Sequence, residues 1–417
     1  MSKTAPVIIA GAGWAGMAAA LELAQNGIPV TVLESAPQAG GRARTVSVGD
    51  TPLDNGQHLL IGAYHETLRL LAQMGLDEEQ VLLRQPLHLE VIEQKTRLCL
   101  HAPKLPAPLH LAWGLLSAAG VSATDKRRAL RMSLSLAWRG YRLERDISVE
   151  ALLEHYRQGP ELIRRFWQPL CLATLNTPLQ QASAEVFLRV LKDSFSHARK
   201  DADLLLPRVP LGELFCDNAW QALATNSGNR LELGCRVSGI SAEHGRLSLQ
   251  TGSGEQMAAE DIVIATSPTA ASRLLAPMAQ TTELASTIGA LGSQPITTVY
   301  LHYPDAPPLS VPMLGLAGTL SQWLFDRRFC NQPGWYAVVI SAEGEHNRWD
   351  KGKLAQQIQQ ELADNLPQWP AAAQQQVVIR EKRATFACRV GCEALRPDNA
   401  TALDGLWLAG DYTATGY

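Results

Sequence analysis

A chain of 417 residues with 46% hydrophobic side chains can bury a large core, so two domains or one two-part fold are expected. Its formal net charge of -3 excludes a broad basic footprint for nucleic acid. Seven cysteines without zinc or thioredoxin spacing, the closest pair being Cys388 and Cys392, suit a reducing cytosol and predict no metal site.

The chain opens on a nucleotide-binding pattern. Residues 7–10 (VIIA) read as a buried parallel strand, followed directly by Gly11-Ala12-Gly13-Trp14-Ala15-Gly16. An alanine-rich helix runs on from there, Gly27 ends it, and residues 30–33 form the next strand. Glu34 closes that strand 18 residues after Gly16. Gly11 permits the tight turn, Gly13 lets backbone approach a pyrophosphate, and Gly16 lets the helix pack on the strand. Trp14 and Ala15 open the helix, whose free N–H groups and dipole favour an anion. Glu34 is placed to accept from both hydroxyls of an adenosine ribose, and its charge disfavours a 2′-phosphate. The glycines, Glu22 and this continuation make the apolar start a first strand and helix rather than a secretion signal.

Gly40-Gly41-Arg42 comes next, and at this point the chain resembles two-dinucleotide-binding flavoproteins. The resemblance implies FAD: the glycines let a loop cross near the pyrophosphate, and Arg42 pairs with it. Just downstream, Asp54, Asn55, Gln57 and His58 crowd around Gly56.

Farther along, residues 109–121 (LHLAWGLLSAAGV) are apolar and are followed by Lys126, Arg127, Arg128 and Arg131. Two readings stay open: a segment lying in a bilayer interface, or a buried helix with a solvated basic end. The run is shorter than the about 18 residues a spanning helix needs. Helical periodicity covers 126–141, 149–156, 161–175 and 182–195, within a stretch of 86–220 read as mainly helical. Strands are predicted over 231–240, 245–249 and 261–265, the last leaving through Thr266-Ser267-Pro268. A strand-rich region follows (296–303, 319–325, 336–341) with a helix over 353–365. A last short strand, 405–409, leads into Gly410-Asp411.

These elements predict an α/β fold. A discontinuous, Rossmann-like FAD domain would comprise residues 1–85, 225–290 and 385–417, and an inserted helix-plus-mixed-sheet substrate domain residues 86–224 and 291–384. The chain is similar to the amine-oxidase and phytoene-desaturase superfamily, and more closely to the hydroxysqualene dehydroxylase family. The strings LDNGQHLLIGAY (53–64), FWQPLCLATLNTP (166–178), ASAEVFLRVLKDSF (182–195), LLLPRVPLGELF (204–215), QWLFDRRF (322–329) and TALDGLWLAGD (401–411) carry the likeness. It implies that Gly41, Arg42, Gly56, Gln57, Val237, Gly410 and Asp411 join Gly11, Gly13, Trp14, Ala15, Gly16 and Glu34 around FAD, with Asp411 on the ribityl chain. It also implies reductive removal of the hydroxyl of hydroxysqualene to give squalene, in hopanoid or related triterpene synthesis. Squalene-forming synthases are candidate partners, and the cysteine usage together with residues 109–121 gives a cytoplasmic location with peripheral membrane association as an option.

That chemistry needs an acid at an allylic hydroxyl, hydride from reduced FAD, and a dry apolar channel. His58 is the candidate acid, since an imidazolium donates near neutral pH, with Asp54 orienting or charging it. The competing reading is that His58 bonds cofactor or backbone. Phe166, Trp167, Leu170, Leu172, Trp323 and Phe325 are candidate channel walls or plain core. Asn176 and Thr177 either cap the turn before Pro178 or face the site. The family continues past Gly-Asp through a proline turn into a last helix, whereas this chain stops at Tyr417, six residues after Asp411. Weak FAD retention and little activity are expected of this form. Alternatives are a polyene desaturase acting on phytoene- or squalene-like substrates, and a non-catalytic FAD-binding partner of the synthases.

Overall fold

A computed structural model describes residues 5–49, 51–243 and 246–415. Gly245, where one strand was expected to begin, and Tyr417 lie outside the described residues.

The opening pattern folds as its sequence dictates. Strand Val7–Ala10 is buried throughout and pairs in parallel with Val30–Glu34 on one side and Ile262–Ile264 on the other. Arg230–Leu233 and Leu406–Leu408 complete a five-stranded parallel sheet with those two strands at its edges. The sheet is packed on both faces, which is why its central strands read as unbroken apolar runs rather than alternating ones. Val7 and Ile9 join Met17, Leu21 and Phe215 in one core, while Ile8 and Ile262 join Leu247 and Leu274 in another.

The strand expected over 231–240 is in fact two. Gly234, at φ +70°, turns the chain after Leu233. Val237–Glu243 then starts a separate antiparallel meander with Arg246–Thr251 and Gln256–Ala259.

A seven-stranded sheet forms the second half. Its order is Gln375–Thr385, Gln294–His302, Trp335–Ser341, Trp323–Asp326, Met313–Leu316, His88–Glu93 and Thr96–His101. The last two strands lie inside the stretch 86–220, whose other elements are mainly helical as expected. Leu89 and Val91 of HLEVIE and Leu98 and Leu100 of TRLCLH enter one core at period two, and the two strands form a hairpin added in parallel to Met313–Leu316. One sheet face, with Leu301, Leu324 and Val338, packs on Leu354, Ile358 and Leu362 of helix Lys351–Asn365. The opposite face carries Tyr300, Trp323 and Phe325 and shares a core with Phe166, Trp167 and Phe187 of the helical segment. Trp323 and Phe325 thus do share one face, as the alternation predicts.

Asn176 ties the helical segment to this sheet, closing helix Gln168–Leu175 at φ 47°. Its Nδ2 donates to the Pro295 carbonyl (3.3 Å) and to Thr385 Oγ1 (3.1 Å), and its Oδ1 accepts the Ala342 N–H (2.6 Å). Thr177 Oγ1 donates to the Leu175 carbonyl (2.9 Å) and accepts from the Cys388 N–H (3.2 Å). Of the two open readings, the turn before Pro178 is the one the structure contains. Asn176→Ala would leave the Ala342 N–H buried and unpaired and place alanine in a left-handed conformation. We expect a loss of about 2–4 kcal/mol in urea unfolding.

Candidate cofactor and active site

The carboxyl ends of Val7–Ala10 and Val30–Glu34 open onto a cavity of about 1070 Å³. In open parallel sheets this end is where ligands bind, because the strand-to-helix loops leave a crevice there. Gly11, Gly13, Trp14, Ala15, Glu34, Gly41, Arg42, Val237, Gly410, Asp411 and His58 all line it.

The three fingerprint glycines do different work. A Cβ on Gly11, at φ +109°, would lie 2.7 Å from the Ala265 carbonyl oxygen, and one on Gly16 would lie 2.0 Å from the Gly11 oxygen. A Cβ on Gly13 would meet nothing within 4 Å, so it would project into open space. Helix Trp14–Gln25 has no side-chain cap at Gly13 and no acid in its first turn. Its first N–H groups therefore keep their capacity for an anion at the cavity wall. That cradle fits a dinucleotide pyrophosphate.

Glu34 is held in place by backbone donors. Its Oε2 accepts the Ala12 N–H (2.8 Å) and its Oε1 the Ala36 N–H (2.9 Å). The Gly40 N–H donates to the Ala12 carbonyl (2.8 Å), so the Gly-Gly loop does cross the fingerprint loop. Arg42 lines the cavity, and its guanidinium grips both oxygens of Asp411 (2.9 and 2.8 Å) and donates to the Ala384 carbonyl (2.7 Å). Asp411, expected on the ribityl chain, is thus half of an ion pair that spans the cavity wall.

Sequence reasoning missed two cations on that wall, Arg236 and Arg273. Neither forms an ion pair among the described residues. Arg273, shortly after the strand exit at Thr266-Ser267-Pro268, carried some signal, whereas Arg236 was hidden inside the strand expected over 231–240.

The Asp54–His58 segment is arranged differently from expectation. Gly16, Gly56, Gln57 and Asp54 are not among the residues lining the cavity, and only His58 of this segment reaches it. Asp54 does not hydrogen-bond His58. Its Oδ1 accepts the Leu211 N–H (2.9 Å), and its Oδ2 lies 3.9 Å from the buried guanidinium of Arg327. Arg327 also donates to Gln57 Oε1 and Gln332 Oε1 and sits 5.2 Å from the centre of the Tyr300 ring. Tyr300 in turn donates to the Asp54 carbonyl (3.0 Å). Burial raises the Asp54 carboxyl above its ordinary value, outweighing the Leu211 N–H and Arg327, which lower it.

His58 Nδ1 is 2.8 Å from the Gly56 carbonyl, so the neutral ring donates there. Burial pushes the imidazole below its ordinary 6.5, more than the Gly56 carbonyl and Asp54 raise it. An imidazolium near neutral pH is therefore corrected to a neutral ring. The unfolded chain takes up this proton first, so stability is lost as pH falls through about 6.5 toward the lower folded value. His58→Gln is expected to lose less melting temperature than the parent between neutral pH and pH 5.5 or so, the range set by the histidine titration. Buried His110 and His346 shift in the same direction and add to the acid sensitivity.

The flavin containing amine oxidoreductase family matches residues 14–417. A hydroxysqualene dehydroxylase of Rhodopseudomonas palustris is 28% identical, covering 100% of this chain and 94% of its own length. A zeta-carotene desaturase of Zea mays is 27% identical over 71% of this chain and 55% of its own. A solved oxidoreductase from Methanosarcina mazei shares the fold at a TM-score of 0.74 and 16% identity, covering 98% of this chain and 95% of that one. The chain therefore belongs to the flavin-containing amine oxidoreductases and is a flavin-dependent oxidoreductase.

Proposed function

We propose that this protein uses FAD to remove the hydroxyl of hydroxysqualene reductively, giving squalene. The observation that carries the reading is the likeness to a hydroxysqualene dehydroxylase along nearly the full length of both chains. The cleft supports a dinucleotide with a free 2′-hydroxyl, through a bare helix N-terminus for pyrophosphate and the Glu34 carboxylate beside it, and the flavin family match makes FAD the one proposed. In this reading residues 1–85, 225–290 and 385–417 hold the cofactor, and residues 86–224 and 291–384 hold the substrate.

Reduced FAD, when bound, supplies the hydride. Overall, one hydride and one proton turn R–OH into R–H and water. The chain's part is to orient the hydroxyl, deliver the proton and keep water from the allylic cation. His58 is the group for the proton, with Nε2 facing away from its Gly56 bond and free of a hydrogen-bond partner among the described residues. Burial makes its imidazolium rarer but a stronger acid. Thr298 adds a second polar contact. Its Oγ1 is buried and unpartnered among the described residues, and it and the His58 ring both lie within 4 Å of the point that a Cβ on Gly56 would occupy. Trp323 and Phe325 are buried in the core shared with Phe166 and Trp167 and are not among the residues lining the cavity.

Product analysis by gas chromatography tests the reading. Hydroxysqualene with reduced FAD should give squalene, increasingly so as pH falls below 6.5 if His58 donates the proton. Squalene with oxidised FAD yielding a product with additional double bonds, two hydrogens passing to the flavin for each, would instead support desaturation, the reading favoured by the zeta-carotene desaturase likeness. FAD binding with turnover in neither direction would leave the non-catalytic synthase partner.

A further inference from the structure

The described surface places its large apolar side chains very unevenly. Eleven of them are exposed, and six of these (Leu105, Leu109, Trp113, Leu116, Leu134 and Trp138) fall within residues 105–138. Trp138 is 88% exposed, Leu134 63% and Trp113 58%.

Two helices carry this patch. Helix Leu109–Ser117 buries His110, Gly114 and Leu115, and a Cβ on Gly114 would lie only 3.0 Å from the His101 carbonyl oxygen. It is therefore pressed flat on the edge strand Thr96–His101, and the side chains it turns outward are Leu109, Trp113 and Leu116. Helix Ala123–Trp138 buries Ala129, Met132 and Leu136. Its exposed stripe runs Arg127, Arg131, Leu134, Trp138, at helical spacing. An ordinary surface helix would put polar residues on these outward stripes.

Charge is segregated with the patch. Residues 104–143 contain seven Lys and Arg against one acid, Asp125, in a chain whose net charge is -3. That acid is already engaged, lying 3.5 Å from Arg128 and bonded to Ser122. Exposed Trp and Leu beside Arg suit the boundary between acyl chains and anionic headgroups, where aromatic rings sit and guanidinium groups meet phosphate. Two copies apposed through this patch would bring like charges together, which disfavours a second copy as its occupant. No helix among the described residues is long and apolar enough to cross a membrane.

We propose that helices Leu109–Ser117 and Ala123–Trp138 form a shallow lipid-docking face that seats the protein on an anionic bilayer surface. The buried sides of both helices belong to the same apolar core as Trp323 and Phe325. Docking therefore sets the bilayer against the half of the fold that carries the sheet.

Vesicle co-sedimentation tests this with the full chain and two double variants, Trp113→Ser/Trp138→Ser and Arg127→Gln/Arg131→Gln. The parent should bind vesicles of phosphatidylcholine with phosphatidylglycerol, and bind phosphatidylcholine alone more weakly. The tryptophan variant should bind both at least about tenfold more weakly, as loss of large apolar side chains from the acyl boundary requires. The arginine variant should lose only the preference for phosphatidylglycerol, and that preference should fade with salt in the parent. All substituted side chains are solvent-facing, and unchanged thermal melting confirms that the variants fold. Absence of parent binding, equal binding by the tryptophan variant, or patch-dependent self-association without lipid binding would overturn the proposal.

Discussion

Gly16→Ala is expected to yield a protein that unfolds at markedly lower denaturant and holds no flavin. The added methyl would sit 2.0 Å from the Gly11 carbonyl oxygen and 3.1 Å from Ala265 Cβ. The first contact is with backbone, so no rotamer change relieves it. Helix Trp14–Gln25 must move off strand Val7–Ala10, taking with it the N–H groups that face the cavity. A cost of about 3 kcal/mol is expected, at the upper end for overpacking because the obstacle cannot yield. Gly13→Ala is the control: its methyl meets nothing within 4 Å, so folding should be unaffected while flavin affinity falls. Denaturant unfolding and flavin titration on both variants check the pair. Equal flavin affinity in Gly16→Ala and the parent would show that helix and strand need not touch there.

Arg327→Leu is the second large effect. Removing the guanidinium strands the Asp54 carboxylate, buried beneath the sheet, and deprives Gln57 and Gln332 of a donor. Breaking one side of a buried pair costs about 3–5 kcal/mol. The pH dependence identifies the cause. Burial already raises the folded Asp54 carboxyl above its ordinary 3.8, so the native state holds this proton more tightly than the unfolded chain. Its ionisation therefore removes stability as pH rises from about 3.8 through the folded value, and losing Arg327 enlarges that loss. The deficit of Arg327→Leu should be smallest in acid and grow toward neutral pH. Adding Asp54→Asn should recover much of it, because a neutral amide needs no cation. Unfolding free energies at two pH values, with single and double variants, decide the matter. A deficit independent of pH would mean that Arg327 acts by packing on Tyr300 instead.

The legible parts of this molecule were the local ones. The nucleotide cradle could be read because each requirement falls on a residue at fixed spacing: the turn at Gly11, the bare helix start after Gly13, the carboxylate of Glu34. Alternation gave the face shared by Trp323 and Phe325. It was also present in 88–101, yet that hairpin was hidden inside a stretch dominated by helical periodicity. Gly234 escaped notice because an apolar run on both sides read as one strand, and only its left-handed backbone shows the break.

The site's electrostatics were least legible, for a physical reason. Arg327 in a run of two arginines reads as a solvated strand end; it is buried only because Asp54, Gln57 and Tyr300 arrive from distant parts of the chain. The same enclosure reverses the expected charge of His58. Sequence can propose which groups are near one another, but desolvation depends on what covers them. Arg42 and Asp411 illustrate the middle case. Each was read as a cofactor contact from its own motif, and their ion pair required the two ends of the chain to meet.

The most direct measurement is an anaerobic single turnover. Protein loaded with FAD is reduced chemically, freed of excess reductant and mixed with hydroxysqualene, while flavin absorbance and product are followed together. Reductive dehydroxylation predicts that oxidised flavin returns without oxygen and that one squalene forms for each flavin reoxidised. Flavin that stays reduced while hydroxysqualene is recovered unchanged would contradict it.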